Sequence, residues 1–208
     1  MKTSKCSKYK GKAVMLIAAL LAISLFAGCG ELSTKGKKLK TVKKGSWVSV
    51  MKKSKADKKN HSVKVRVKKI IRNQKEVKKL IEEHNLISSQ NKVKLDLNND
   101  KLEFCIAKYD VKFPKNFPEK AYGILDTQVE FRICSAEGKN TIKVGNTIYE
   151  GLNKTQKIGA VPEGYDFYAG STYHGMFVFQ MVKNHNKYLI EPQNDGGEKT
   201  KIYINPQK

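Results

Sequence analysis

Between positions 63 and 68 the chain alternates without a break, with Val63, Val65 and Val67 on one parity and Lys64, Arg66 and Lys68 on the other. Only an extended strand, whose side chains point to opposite faces with period two, sorts such a run into one dry face and one wet, cationic face. The same period returns over residues 102–113, where Cys105, Ala107, Tyr109, Val111 and Phe113 share the apolar register, and over residues 173–182. Shorter runs fall at 47–50, 92–97, 129–134, 188–190 and 200–204, and Asn98, Asn99 and Asp100 mark a turn. Residues 141–144 lead through Gly145-Asn146 into 147–149, the spacing of a two-residue hairpin. Short strands recurring between Gly, Asn and Pro turns predict a mainly β chain folded as an antiparallel β-sandwich.

One helix interrupts this pattern. Asn73, with Glu76 three residues on, reads as an N-cap with an acidic partner, and Val77, Leu80, Ile81 and His84 form one stripe over residues 74–85. His84 reads as a boundary residue of that helix rather than a metal ligand.

The start of the chain has a different character. Lys2, Lys5, Lys8, Lys10 and Lys12 precede an apolar run from Ala13 to Ala27, which is short for a membrane-spanning helix and ends in Leu25-Phe26-Ala27-Gly28-Cys29. Small residues before a cysteine are what a lipoprotein signal peptidase requires. Residues 1–28 therefore read as a bacterial lipoprotein signal peptide cut between Gly28 and Cys29, with Cys29 carrying a diacylglyceryl group. Phe26 stands where such motifs usually have Leu, Val or Ile, and the other reading is an ordinary secretory signal or an uncleaved anchor with an incidental Cys29. Either way the rest of the chain lies outside the cytoplasm. Lipidation would hold it on the extracellular face of the cell membrane at roughly 0.8 kcal/mol per buried methylene.

Charge is unevenly spread. The formal net charge is +22, and residues 35–79 hold 19 Lys or Arg against only Asp57 and Glu76. The remainder, 80–208, is almost balanced, with 17 basic and 16 acidic residues. Residues 29–45 read as a flexible Lys-rich linker and 46–208 as the folded domain. Lys35, Lys37, Lys38, Lys40, Lys43, Lys44, Lys52 and Lys53 are then the expected contacts to anionic lipid or teichoic-acid phosphates, or else serve to keep the tether solvated. Export argues against nucleic acid as the partner, despite a pI near 9.8.

Candidate chemistry is sparse. Cys105 and Cys134 could pair in an oxidising exterior, yet Cys134 shares parity with Glu130 and Arg132, outward from the register of Cys105, so two separate thiols remain the other reading. His61, His84, His174 and His185 lack ligand spacing, Ser171 and His174 lack a nucleophile elbow, and Glu82 and Glu83 point to different sides of the helix. Asp110, between Lys108 and Lys112, reads as a cross-strand charge partner. The run Asn194-Asp195-Gly196-Gly197-Glu198 reads as a turn rather than a calcium loop. No metal, cofactor or catalytic group is expected. Residues 151–170, an aperiodic stretch with Tyr165, Phe167 and Tyr168, and residues 113–122, with Phe117 and Tyr122, are the expected ligand surface, the alternative for the first stretch being that Phe167 and Tyr168 tuck in as satellite core.

The stretches Leu102-Glu-Phe-Cys-Ile-Ala-Lys-Tyr-Asp-Val-Lys-Phe-Pro114 and Phe167-Tyr-Ala-Gly-Ser-Thr-Tyr-His-Gly-Met-Phe-Val-Phe179, behind a lipoprotein signal, resemble the small cell-surface lipoproteins of Gram-positive bacteria that carry an immunoglobulin-like domain of unassigned function. In that family a glycine ahead of the penultimate long strand precedes an alternating Phe/Val run, matched here by Gly170, Gly175, Phe177, Val178 and Phe179. The resemblance implies an immunoglobulin-like sandwich over about residues 47–204, at the cell surface, and no catalytic residues. The expected function is a non-catalytic binding module for an unidentified surface ligand or protein. The alternative is an immunity-type lipoprotein that sequesters a bacteriocin or toxin.

Overall fold

The structure, a computed structural model, describes residues 39–54, 57–88, 91–94, 99–118, 129–159, 169–196 and 201–208. Along the chain run β1 (Lys40–Lys43), β2 (Val48–Lys53), β3 (Asn60–Ile71), α1 (Gln74–Ile87), β4 (Leu102–Lys112), β5 (Phe131–Ser135), β6 (Ile142–Val144), β7 (Thr147–Tyr149), β8 (Thr155–Ile158), β9 (Thr172–Val182), β10 (Tyr188–Pro192) and β11 (Ile202–Asn205). They form a four-stranded sheet in the order β1-β11-β10-β5, a five-stranded sheet in the order β2-β3-β4-β9-β8, and the separate hairpin β6-β7. Every pair is antiparallel except β1 with β11, which is parallel. The signal peptide with Cys29, the lysines 35, 37 and 38, and the strand residues expected at 95–97 and 200 lie outside the described residues.

Alternation builds the core. In the five-stranded sheet Val48, Val50, Val63, Val65, Val67, Cys105, Ala107, Tyr109, Val111, Phe177 and Phe179 face inward, and Phe131, Ile133, Tyr188, Ile190 and Ile204 meet them from the four-stranded sheet in one buried cluster. Phe131 stacks on Phe177 with centroids 4.6 Å apart and lies 4.7 Å from the Tyr109 ring, so β5 is keyed to β4 and β9 across the interface. Where Tyr109 crosses β9 there is room only for glycine. A Cβ on Gly175 would lie 2.4 Å from Tyr109 Cζ and 2.6 Å from its hydroxyl oxygen.

The outer face of the five-stranded sheet is half covered by α1. Ile71, Phe104, Ile106, Ile158 and Val178 pack with Val77 and Ile81 of the helix and with Val93. Asn73 caps the helix as expected, its side chain accepting from the amides of Lys75 and Glu76. Glu76 does not close a reciprocal box; its carboxylate lies 3.8 Å from Lys69 Nζ. His84 is buried and locked: its Nδ1 accepts from the Gly159 amide at 3.2 Å, which leaves Nε2 to donate to the Asn91 carbonyl at 2.9 Å. Val93 is not in a strand. Asn85 holds it instead, accepting from its amide and donating to its carbonyl, so a side-chain amide takes the place of a neighbouring strand.

Two strands run where loops were expected. β1 falls inside the stretch read as linker, because only Val42 of its four residues turns inward and its partner, β11, lies at the far end of the chain. β8 falls inside the aperiodic stretch 151–170; its residues Thr155–Ile158 pair with Phe179–Met176 of β9. The edges are occupied as well. Ile133 donates to the Asn153 carbonyl at 3.2 Å and Thr155 Oγ1 to the Phe131 carbonyl at 2.8 Å, joining β5 to β8 across the two sheets. Along the free side of β2, Met51 donates to the Asn194 side chain, its carbonyl accepts from Asp195, and Lys53 donates to the Asp195 carboxylate.

Cys105 and Cys134 are both free thiols and both buried. Cys105 belongs to the core between the sheets, whereas Cys134 packs with Leu39, Leu189 and Tyr203 on the opposite side of the four-stranded sheet. Strand parity thus separates them, and the disulfide reading is corrected. Burial pushes both thiols up to about 12, with the Glu191 carboxylate adding to the effect at Cys134. Neither should react with a maleimide in the native protein, while both should label singly on unfolding; a Cys105–Cys134 crosslink in a peptide map would contradict this. Gly175→Ala should cost about 1–3 kcal/mol in urea unfolding through overpacking against Tyr109. Its effect should be smaller when combined with Tyr109→Ala, a non-additivity that the double-mutant cycle measures.

Candidate functional site

The strand registers bring four residues from distant parts of the chain into one row. Val48 faces Val65 on β3, which sets Trp47 beside Arg66; Arg66 faces Asp110 on β4, and Asp110 faces His174 on β9. All lie on the outer face of the five-stranded sheet, in the half that α1 leaves uncovered. Asp110 is the hub, fully buried although its partners reach solvent. Arg66 donates through Nε at 2.9 Å and through a terminal nitrogen at 2.8 Å, His174 Nδ1 stands 2.5 Å away, and Lys68 Nζ lies 3.6 Å away. The Trp47 ring covers the Arg66 guanidinium at 4.4 Å, holding it flat against the sheet.

Basic residues flank this row. On one side Lys64 directly faces Lys112, and on the other Lys69 faces Lys108. Between Val67 and Lys69 the β3–β4 register slips by one, a β-bulge that brings both Lys68 and Lys69 to the outer face, where they reach Asp110 and Glu76. The face thus carries Lys64, Arg66, Lys68, Lys69, Lys108 and Lys112 around one sheet carboxylate. The alternation at 63–68 and the lysines flanking Asp110 were the sequence signals for it. Trp47 and His174 carried no such signal, because their place in the row depends on pairing across residues far apart in sequence.

Asp110 meets the expectation of cross-strand charge pairing. Burial alone would raise its pKa, but the hydrogen bonds from His174 and Arg66, with the charge of Lys68, outweigh that and hold the carboxyl below its ordinary 3.8. A lowered carboxyl contributes stability that is fully present above the unfolded value and lost as pH falls through the folded one. Wild-type stability should therefore fall as the pH drops below the ordinary carboxyl value of 3.8, and Asp110→Asn should flatten part of that fall in pH-resolved urea unfolding.

The other expected site residues are dispersed. Lys40, Lys43, Lys44 and Lys53 are exposed, on β1, at the turn after it and at the end of β2. Lys52 is corrected as an anion contact: it points inward, is 6% exposed and is bound to Asp195 at 2.9 Å. Phe117 is corrected as a ligand-surface residue: it is 3% exposed and packs edge-on against Phe113 and His61. Tyr122, Tyr165, Phe167 and Tyr168 lie outside the described residues, as do Cys29, Lys35, Lys37 and Lys38. His61 pairs with Asp57 at 2.8 Å, and His185 contacts the Lys187 carbonyl. Among the described residues no three His, Cys, Asp or Glu gather as a metal site, and no helix is long and apolar enough to cross a membrane.

Comparison with protein-family models, with curated proteins and with solved structures finds no match.

Proposed function

We propose that this chain is a lipid-anchored binding module of a bacterial cell surface, with an immunoglobulin-like sandwich as its folded part and anionic envelope phosphates as its partner. One observation carries the reading: Lys64, Arg66, Lys68, Lys69, Lys108 and Lys112 share one sheet face around a carboxylate, Asp110, that is itself fully buried. Lysines Lys64 and Lys112 are exposed and have no carboxylate partner among the described residues. A row of like charges on neighbouring strands disfavours folding, and an anionic partner offsets it.

The leader supports the location. Its basic start, short apolar run and Ala27-Gly28-Cys29 fit export followed by lipidation at Cys29, which would confine the domain within reach of anionic lipid or teichoic acid. The reading is non-catalytic. Asp110 and His174, the pair best suited to acid–base work, are bound to each other and to Arg66 on an open strand row, so their geometry serves to fix charge.

Mass spectrometry and membrane fractionation of the wild type and Cys29→Ala in a Gram-positive host test the anchoring. The expected wild-type product begins at Cys29, carries a diacylglyceryl adduct and sediments with membranes, and the alanine variant loses all three properties. A soluble, unmodified wild-type product would overturn the anchored reading.

A further inference from the structure

Resting on that reading, we propose that the uncovered half of the outer sheet face, between Trp47 and the flank of α1, is a binding site for a linear polyol-phosphate chain joined by phosphodiester links. Three arrangements converge on this ligand. Along β3 the side chains of Lys64, Arg66 and Lys68 project at intervals of two residues, roughly 6.7 Å apart, and Lys108 and Lys112 on β4 run beside them. Two parallel tracks of cations suit a chain that carries one negative charge per repeat. A compact anion would engage only one pair of them.

The second arrangement is the directly opposed pairs Lys64–Lys112 and Lys69–Lys108. Like charges facing each other across a ladder cost stability, and of these four lysines only Lys69 has a carboxylate within 4 Å among the described residues, Glu76. A phosphate seated between Lys64 and Lys112 would reverse the sign of that interaction. Asp110, the one carboxylate of the sheet face among the described residues, is sunk beneath Arg66 and His174, so it orients cations at the surface and presents no exposed negative charge to the ligand.

The third arrangement is the step. α1 lies on the other half of the same face, held by Val77 and Ile81 over Ile71, Ile106 and Val178. A helix with its side chains is roughly 10–12 Å across. A flat bilayer approaching this face would meet α1 before the short side of the step, whereas a flexible chain can lie along β3 and β4 at its foot. Trp47, at the far rim, offers a ring edge to the polyol carbons between phosphates.

Binding of lipid-free poly(glycerol phosphate) to the full chain, carried in neutral detergent micelles, tests the proposal across a salt series. The variants are Lys64→Ala/Lys112→Ala and, as a control with the same charge change, Lys78→Ala/Lys79→Ala on the exposed side of α1, where these lysines pair with Glu82 and Glu83. The site double variant should bind roughly 30-fold more weakly. It should also flatten the slope of log affinity against log salt by roughly 1.4, with the control close to wild type. Equal losses in both variants would overturn the site while leaving an anionic partner in place. Wild-type binding to anionic vesicles but not to the soluble polymer would overturn the choice of a linear chain. Absence of binding to either would overturn the anionic-partner reading as well, whatever the outcome at Cys29.

Discussion

The strand on which the rest depends is β4, because it is buried on both faces for most of its length. Its eleven-pair ladder with β9, from Leu102 opposite Val182 to Lys112 opposite Thr172, is the longest among the described residues. Cys105, Ala107, Tyr109 and Val111 line the core between the sheets, while Phe104 and Ile106 lie beneath α1. Beyond α1 its outer face turns polar with Lys108, Asp110 and Lys112, and of these three only Asp110 is fully buried. Asp110 is tolerable there only because Arg66, His174 and Lys68 meet it, since a buried carboxylate without such partners would be strongly disfavoured. The cationic face and the hydrophobic core are thus two sides of one constraint.

The same logic governs the margins. An open sheet leaves two rows of unpaired amides and carbonyls, which invite pairing with other chains. Here β2 is covered by the side chains and backbone of Asn194 and Asp195, and β5 meets β8 near Asn153 and Thr155. Lys52, turned inward at the end of β2, takes its counter-charge from the same Asp195. One short turn after β10 therefore closes a sheet edge and neutralises a buried cation.

How much of this was legible in the sequence follows from the range of each interaction. Where a strand alternates over six or more residues, as in β3, β4 and β9, the period alone places it and orients its faces. The Gly145-Asn146 hairpin was readable because its pairing is local; Gly145 takes φ +58°, which glycine adopts without strain. β1 and β8 were not readable, being four residues long, mostly polar, and strands only because a distant partner offers a ladder. Parity already separated Cys105 from Cys134. Phe117 and Lys52 were misjudged because His61 and Asp195, which pack against them, arrive from distant parts of the chain. Lys64 and Arg66 were visible as a wet cationic face, yet their alignment with Lys112, His174 and Trp47 is a matter of register, which composition does not encode.

The parallel pairing of β1 with β11 has a mechanical side. β1 is an edge strand whose ladder, Lys40 with Ile202 through Lys43 with Asn205, ties the start of the domain to its last strand. Tension applied to the chain ahead of Leu39, along the strand axis, loads those hydrogen bonds in shear, so that they share the force and must yield together. Tension across the axis would open them one at a time. For the anchored, polymer-binding domain proposed above, the first geometry would be the better suited, because the attachment would resist drag until the whole ladder slides.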